Sequence, residues 1–234
     1  MTKRSNRRCW RGCRATPRRA GGEPLAYVVG QCEFCGLTLQ VNADVLVPRP
    51  ETEALVEWAL DLAPRAPLRR LVDLGTGSGA IALAFGHRAP ADFDVHAVDR
   101  SDAALAVARG NGERLHLAVT WHAGDWWQPF AGQTFGIAVS NPPYVKAGDP
   151  HLPALRHEPA RALVAGEDGL QALRAIVASA PAHLAPGGWL LLEHGHDQAV
   201  AVAALLAAAG FEAIETRADL AGLPRLTGGR RPIA

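Results

Sequence analysis

Val72-Asp73-Leu74-Gly75-Thr76-Gly77-Ser78-Gly79 is the stretch on which the reading of this chain turns. Its first half, with Leu71 before it, is a short apolar run of the kind that forms a strand buried on both faces. Its second half sets glycines at alternate positions directly ahead of an apolar helical pattern over residues 80–87. Glycine turns the backbone sharply and lets a ligand approach it closely. Strand, glycine loop and helix in that order make a nucleotide cradle at the carboxyl end of a first sheet strand. Nicotinamide enzymes share the pattern, and a tight turn needs no ligand at all.

Downstream of the loop the alternation continues. Apolar runs at residues 95–98, 115–121, 135–140, 189–193 and 211–216 read as strands, with a last one near 225–229. Helical patterns at 102–111, 170–184 and 199–209 lie between them, the second closed by Pro186-Gly187-Gly188. Such alternation predicts an α/β domain with a parallel sheet covered on both faces. Upstream, residues 25–47 read as a small β-hairpin with Gly30 and Gly36 as turns, and residues 27–36 as its strand and turn. A helix over 51–62 follows, its start rigidified by Pro48 and Pro50 and made acidic by Glu51 and Glu53, where the helix dipole favours them. Residues 63–67 link it to the first sheet strand. The domains expected are therefore a basic, unstructured arm (1–17), a hairpin with its helix (18–62) and a catalytic domain (63–234).

At 234 residues and 48% hydrophobic, the chain can bury one sizeable core. No apolar run approaches the ~18–20 residues of a membrane span, and the start lacks the apolar core of a secretory signal, so a cytoplasmic, monomeric protein away from membranes is expected. Net charge is +1, yet residues 1–23 carry a balance of +7, which leaves −6 for the rest. An acidic body argues against binding nucleic acid through its backbone. Cys9 and Cys13, and Cys32 and Cys35, have the spacing of metal ligands but no histidine to complete a set; on a strand the second pair would point to opposite faces, and no metal is expected.

Two further strand ends extend the cradle. Asp99, closing the second strand, can accept hydrogen bonds from both hydroxyls of a ribose. Gly124-Asp125-Trp126-Trp127 follows the third strand; Asp125 is placed to accept from an adenine amino group and Trp126 to cover its ring. Singly, Asp125 could be a helix cap and Trp126 plain core. The fourth strand ends in Ser140-Asn141-Pro142-Pro143-Tyr144. A planar nitrogen is a poor nucleophile because its lone pair is delocalised, and to attack a methyl group it needs its N–H bonds held by acceptors. Asn141 offers a side-chain carbonyl and Pro142 a backbone one; Pro142 and Pro143 fix where both point, and Tyr144 supplies a flat wall.

At this point the chain resembles a known group. Asp73–Gly79, Asp99 and Asn141–Tyr144 look like the motifs of class I methyltransferases acting on planar nitrogens. Glu23-Pro-Leu-Ala-Tyr27, Val47-Pro-Arg-Pro-Glu-Thr-Glu53, Glu158-Pro159 and Leu191-Leu-Glu-His-Gly195 look like those of the release factor glutamine methyltransferases. The resemblance implies a Rossmann-like, seven-stranded, mostly parallel sheet, S-adenosyl-L-methionine as donor, and as acceptor the glutamine of a Gly-Gly-Gln loop in a peptide chain release factor. It places Gly75, Thr76, Gly77, Ser78, Gly79, Asp99, Asp125, Trp126 and Asn141 on the cofactor and Asn141, Pro142, Pro143 and Tyr144 on the glutamine. Arg49 would meet the methionine carboxylate, or pair with Glu51 or Glu53. The family also carries a helical domain ahead of the hairpin that residues 1–17 do not resemble, which implies weakened grip on the protein substrate. Rival readings are methylation of a ribosomal-protein glutamine or a nucleic-acid amine, a nicotinamide oxidoreductase, and a cofactor-binding remnant without turnover.

Overall fold

The computed structural model describes residues 15–219 and 221–233. Two short helices, α1 (Ala15–Ala20) and α2 (Leu25–Val29), lead into an antiparallel hairpin of β1 (Gln31–Phe34) and β2 (Leu37–Gln40). Helix α1 straddles the boundary expected between arm and hairpin, and Cys9 and Cys13 lie outside the described residues. The reading of 27–36 as strand and turn is corrected at its start: Tyr27 belongs to α2, whose last turn ends at Gly30 in the left-handed conformation, and strand begins only at Gln31. Cys35 sits in the hairpin turn, and its thiol is pushed up to about 12 by burial and the nearby acids Glu53 and Glu57.

Helix α3 (Pro50–Leu62) starts with proline in its first turn and buries Thr52, Leu55, Val56, Ala59 and Leu62 along one face. That spacing of three and four residues is the core stripe of a helix. The Glu53 carboxylate at its start accepts the Cys35 amide at 2.9 Å, which fastens the hairpin to the helix.

The sheet is then laid down by β3 (Arg70–Leu74), α4 (Ala80–Arg88), β4 (Asp94–Asp99), α5 (Asp102–Leu115), β5 (Thr120–Ala123), β6 (Phe135–Ser140), α6 (Gln171–His183), β7 (Leu184–Glu193), α7 (Ala199–Ala208), β8 (Glu212–Ala218) and β9 (Pro224–Arg230). Its strand order is β5-β4-β3-β6-β7-β9-β8, with β9 the antiparallel member. Alternation across the pleat divides the core. Leu71, Ile137 and Leu191 face Leu55, Trp58, Leu83 and Phe85, whereas Val72, Leu74, Leu190 and Leu192 face Leu173, Ile176, Val202 and Leu206. Each of these side chains contributes about 1.5–3 kcal/mol through burial.

Two strands begin five residues from where they were expected. Helix α5 runs on to Leu115 and ends at His116 in the left-handed conformation, so β5 begins at Thr120 instead of Leu115; Ser101 caps the start of α5 by accepting the Ala104 amide at 3.2 Å. Strand β7 begins directly after α6, and Pro186-Gly187-Gly188 lie within it instead of closing the helix. The pairing of β6 with β7 absorbs them through a register shift between Phe135 and Ile137.

Candidate active site

Strand order reverses between β3 and β6, and in an open parallel sheet the crevice beyond such a reversal is where ligands bind. The loops after these two strands, with those after β4 and β5, enclose a cavity of about 360 Å³. Gly75, Thr76, Gly77, Ser78, Asp99, Asp125, Trp126, Asn141 and Pro143 all line it. Gly79, Pro142 and Tyr144 do not. Gly79 forms the start of α4, where any side chain would strike Leu83 and Trp121.

The glycine loop is held open by its neighbours. The amides of Gly75 and Thr76 both donate to the Val98 carbonyl, at 2.9 and 3.0 Å. The Gly77 amide donates to Asp99 Oδ2 at 2.9 Å and the Ser101 amide to Asp99 Oδ1 at 2.8 Å. Each carboxylate oxygen keeps further acceptor capacity, so two outside donors can be met together. Gly75 has φ 77°, and a Cβ there would stand 3.0 Å from the Trp126 ring. Trp126 itself has φ 49°, a strained conformation for a bulky residue, which sets its indole at the wall of the cavity. Beneath the loop, Asp73 is fully buried. Its Oδ2 accepts Thr76 Oγ1 at 2.6 Å and the Ala82 amide at 3.3 Å, while Oδ1 has no protein partner. Burial pushes this carboxyl up to about 7 against those hydrogen bonds, with a smaller push from Asp99.

The loop after β6 is braced from behind. Ser140 Oγ donates to the Leu74 carbonyl at 2.6 Å. Asn141 Nδ2 donates to Thr52 Oγ1 at 3.0 Å, and Thr52 Oγ1 donates to Glu193 Oε2 at 2.7 Å. The Tyr144 hydroxyl lies 3.5 Å from Glu193 Oε1. Burial of Glu193 pushes it up to about 7, and burial with the Glu193 charge pushes the Tyr144 phenol up to about 12. The Tyr144 carbonyl accepts Gln198 Nε2 at 3.1 Å. Gly169, with φ 74°, passes so close to that carbonyl that a Cβ would be 2.3 Å from it.

Arg49 does not pair with Glu51 or Glu53. Its guanidinium pairs with Glu158, whose other oxygen accepts the Val47 amide at 3.2 Å. This ties the segment before α3 to the loop that follows Tyr144, and Val45, Pro48, Pro159 and Arg161 from these two pieces wall one side of the cavity. Thr52, Glu158 and Glu193 fall within the stretches 47–53, 158–159 and 191–195 that carry the family resemblance but were given no individual site role, and Gln198 was not singled out at all. Thr52 and Glu193 did leave a further trace: a hydroxyl heads the apolar stripe of α3, and an acid closes the apolar run 189–192 of β7. Among the described residues no cluster of His, Cys, Asp and Glu has a metal-binding arrangement, and no helix is long and apolar enough to cross a membrane.

A family model described as a methyltransferase small domain matches residues 52–158. The release factor glutamine methyltransferase of Coxiella burnetii is 47% identical over 215 residues, covering 92% of this chain and 77% of its own. That of Burkholderia pseudomallei is 50% identical over 224 residues, covering 92% and 78%. Among solved structures, the release factor-specific protein-(glutamine-N5) methyltransferase of Alicyclobacillus acidocaldarius is 33% identical with a TM-score of 0.51, covering 83% of this chain and 99% of its own. A 16S rRNA N2 methyltransferase of T. Thermophilus, solved with AdoMet and guanosine, shares the fold at 20% identity and a TM-score of 0.63, covering 86% of this chain and 49% of its own. With identity near one half over more than three quarters of the relatives' length, this chain belongs to the release factor glutamine methyltransferase family.

Proposed function

We propose that this protein methylates the side-chain amide nitrogen of the glutamine in the Gly-Gly-Gln motif of a peptide chain release factor, with S-adenosyl-L-methionine as donor. The observation that carries the reading is the juxtaposition of the glycine cradle and Asn141 in one cavity, with the Asn141 NH₂ turned back onto Thr52. The residues present suit the donor. Asp99 would accept from the two hydroxyls of a ribose, and Trp126, whose ring packs so close to Gly75 that only a residue without a Cβ fits there, would offer its face at the cavity wall to a flat group. Asp125 lines the same cavity and would accept from an adenine amino group. When bound, the donor supplies an electrophilic methyl group on a sulfonium.

The chain's own part is to hold the acceptor nitrogen. The Asn141 side-chain carbonyl accepts one N–H of the glutamine amide and the Pro142 backbone carbonyl offers to accept the other. With both N–H bonds directed at acceptors, the nitrogen lone pair is aimed at the donor. Pro143 lines the cavity beside Asn141 and would keep the amide plane from turning, while Pro142 and Tyr144, behind the lining, stiffen the loop that presents it. Positioning of this kind can supply about 7–11 kcal/mol of the barrier. No base of unusual pKa is needed, because the nitrogen becomes strongly acidic only after it has bonded the methyl carbon, and the proton then passes to solvent. Release factor, ribosomal proteins and ribosomal RNA offered together with methyl-labelled donor test the choice of acceptor. Label confined to the release factor supports the reading; label on the RNA or a ribosomal protein replaces it.

A further inference from the structure

The carboxamide of Asn141 presents a carbonyl on one side and an NH₂ on the other, and only the carbonyl can accept an N–H from a substrate amide. Which side faces the cavity is decided by hydrogen-bond partners. Here the NH₂ is taken by Thr52, and Thr52 gives its single proton to Glu193. Thr52 and Glu193 are 3% and 1% exposed, so bulk water does not compete for these bonds. A hydroxyl that has donated to a carboxylate can only accept thereafter, and Asn141 must then offer it Nδ2.

We propose that Thr52 and Glu193 are positioning residues that hold the Asn141 carboxamide with its carbonyl toward the acceptor nitrogen. The inference rests on the amide-methylation reading above. It also gives Glu193 a sense of direction. An ionised Glu193 accepts from Thr52 and fixes the relay; a protonated one can donate to Thr52, which is then free to donate to Asn141 and let the carboxamide turn over. The charged and titratable groups facing Glu193 are Glu51 at the start of α3, Tyr144 of the catalytic loop and Arg225 of β9. Burial and Glu51 disfavour its charge, whereas Thr52, Arg225 and Tyr144 favour it. His194, next along the chain, is turned away and bonds Thr227 Oγ1 through Nε2 at 2.7 Å.

Steady-state methylation of a release factor by wild type, Thr52→Val, Thr52→Ser and Glu193→Gln tests the relay. Thr52→Val should lose ~30-fold in kcat, a fraction of what removal of a direct contact costs, with the KM for donor within ~2-fold. Thr52→Ser keeps the hydroxyl and should restore most of kcat. Wild-type kcat should rise as pH passes through about 7, and Glu193→Gln should flatten that limb. Asp73, also near 7, lies under the glycine loop, so its ionisation should register in the donor KM instead. A Thr52→Val enzyme at wild-type kcat, or Val and Ser variants equally slow, would overturn the relay. If Thr52→Val fails to fold, an unchanged pH limb in Glu193→Gln overturns it. A folded wild type that methylates no glutamine overturns the underlying reading and the relay with it, whereas an active wild type indifferent to Thr52→Val overturns the relay alone.

Discussion

Replacing Glu158 by alanine should loosen the wall of the cavity without touching the catalytic loop. The Glu158 side chain is 2% exposed and holds two partners, the Arg49 guanidinium and the Val47 amide. Removing one member of a fully buried ion pair costs about 3–5 kcal/mol. Arg49, however, is 32% exposed and can turn to water, so its share is screened to about 1 kcal/mol. The Val47 amide loses its acceptor, at about 1 kcal/mol, and the lost methylene adds about 0.8 kcal/mol. The sum is about 3 kcal/mol, or a fall of roughly 6–12 °C in Tm for a domain of this size. Thermal unfolding of Glu158→Ala, Arg49→Met and the double variant reads both the total and the coupling. The KM for donor should rise with kcat little changed, since Val45 and Pro48 line the cavity from the loosened side. A fall of less than 2 °C, or stability losses of the single variants that simply add, would refute the latch.

Gly75→Ala should raise the donor Kd by about tenfold, from ~1–2 kcal/mol of left-handed strain and a displaced Trp126 ring, and isothermal titration with the donor reads it. Gly169→Ala, whose Cβ would overlap the Tyr144 carbonyl, should lower kcat far more than it raises the donor KM, as single-turnover kinetics would show. Asp73 gives a pH effect of definite sign. Its folded pKa is raised from 3.8 to about 7, so its contribution to stability is fully present below pH 4 and is lost as pH rises through 7. Glu193, raised from 4.5 to about 7, adds a loss of the same sign, so chemical denaturation at pH 5 and pH 8 should show a fall in wild type of which Asp73→Asn removes Asp73's share, on the order of 2–4 kcal/mol.

Much of the fold was legible because buried parallel strands are written as apolar runs and their loops as glycine. The run from Phe135 to Ser140 and the helix ahead of Leu62 were read almost to the residue for that reason. Boundaries failed where local chemistry is ambiguous. Leu115 and Leu117 look like strand, yet Leu115 closes α5 because the chain can turn left-handed at His116. Tyr27 and Val29 alternate as a strand would, yet the Gly30 turn caps them as a helix. The site was legible where one loop carries its own motif, as in residues 75–79 and 141–144. It was not legible where partners meet across the fold. Thr52 and Glu193 stand 141 positions apart, and Arg49 pairs with Glu158 instead of its near neighbours. No local pattern encodes such a contact; only the placement of α3 over the sheet brings it about.

The central claim is tested most directly by mass spectrometry of the Gly-Gly-Gln peptide from a release factor incubated with donor and either wild type or Asn141→Ala. The account predicts one added methyl on the side-chain amide of that glutamine with wild type. It predicts at least a ~100-fold slower gain with Asn141→Ala, measured at saturating donor so that any weaker donor binding does not count. An unmodified glutamine with wild type, or equal methylation by both proteins, would contradict it.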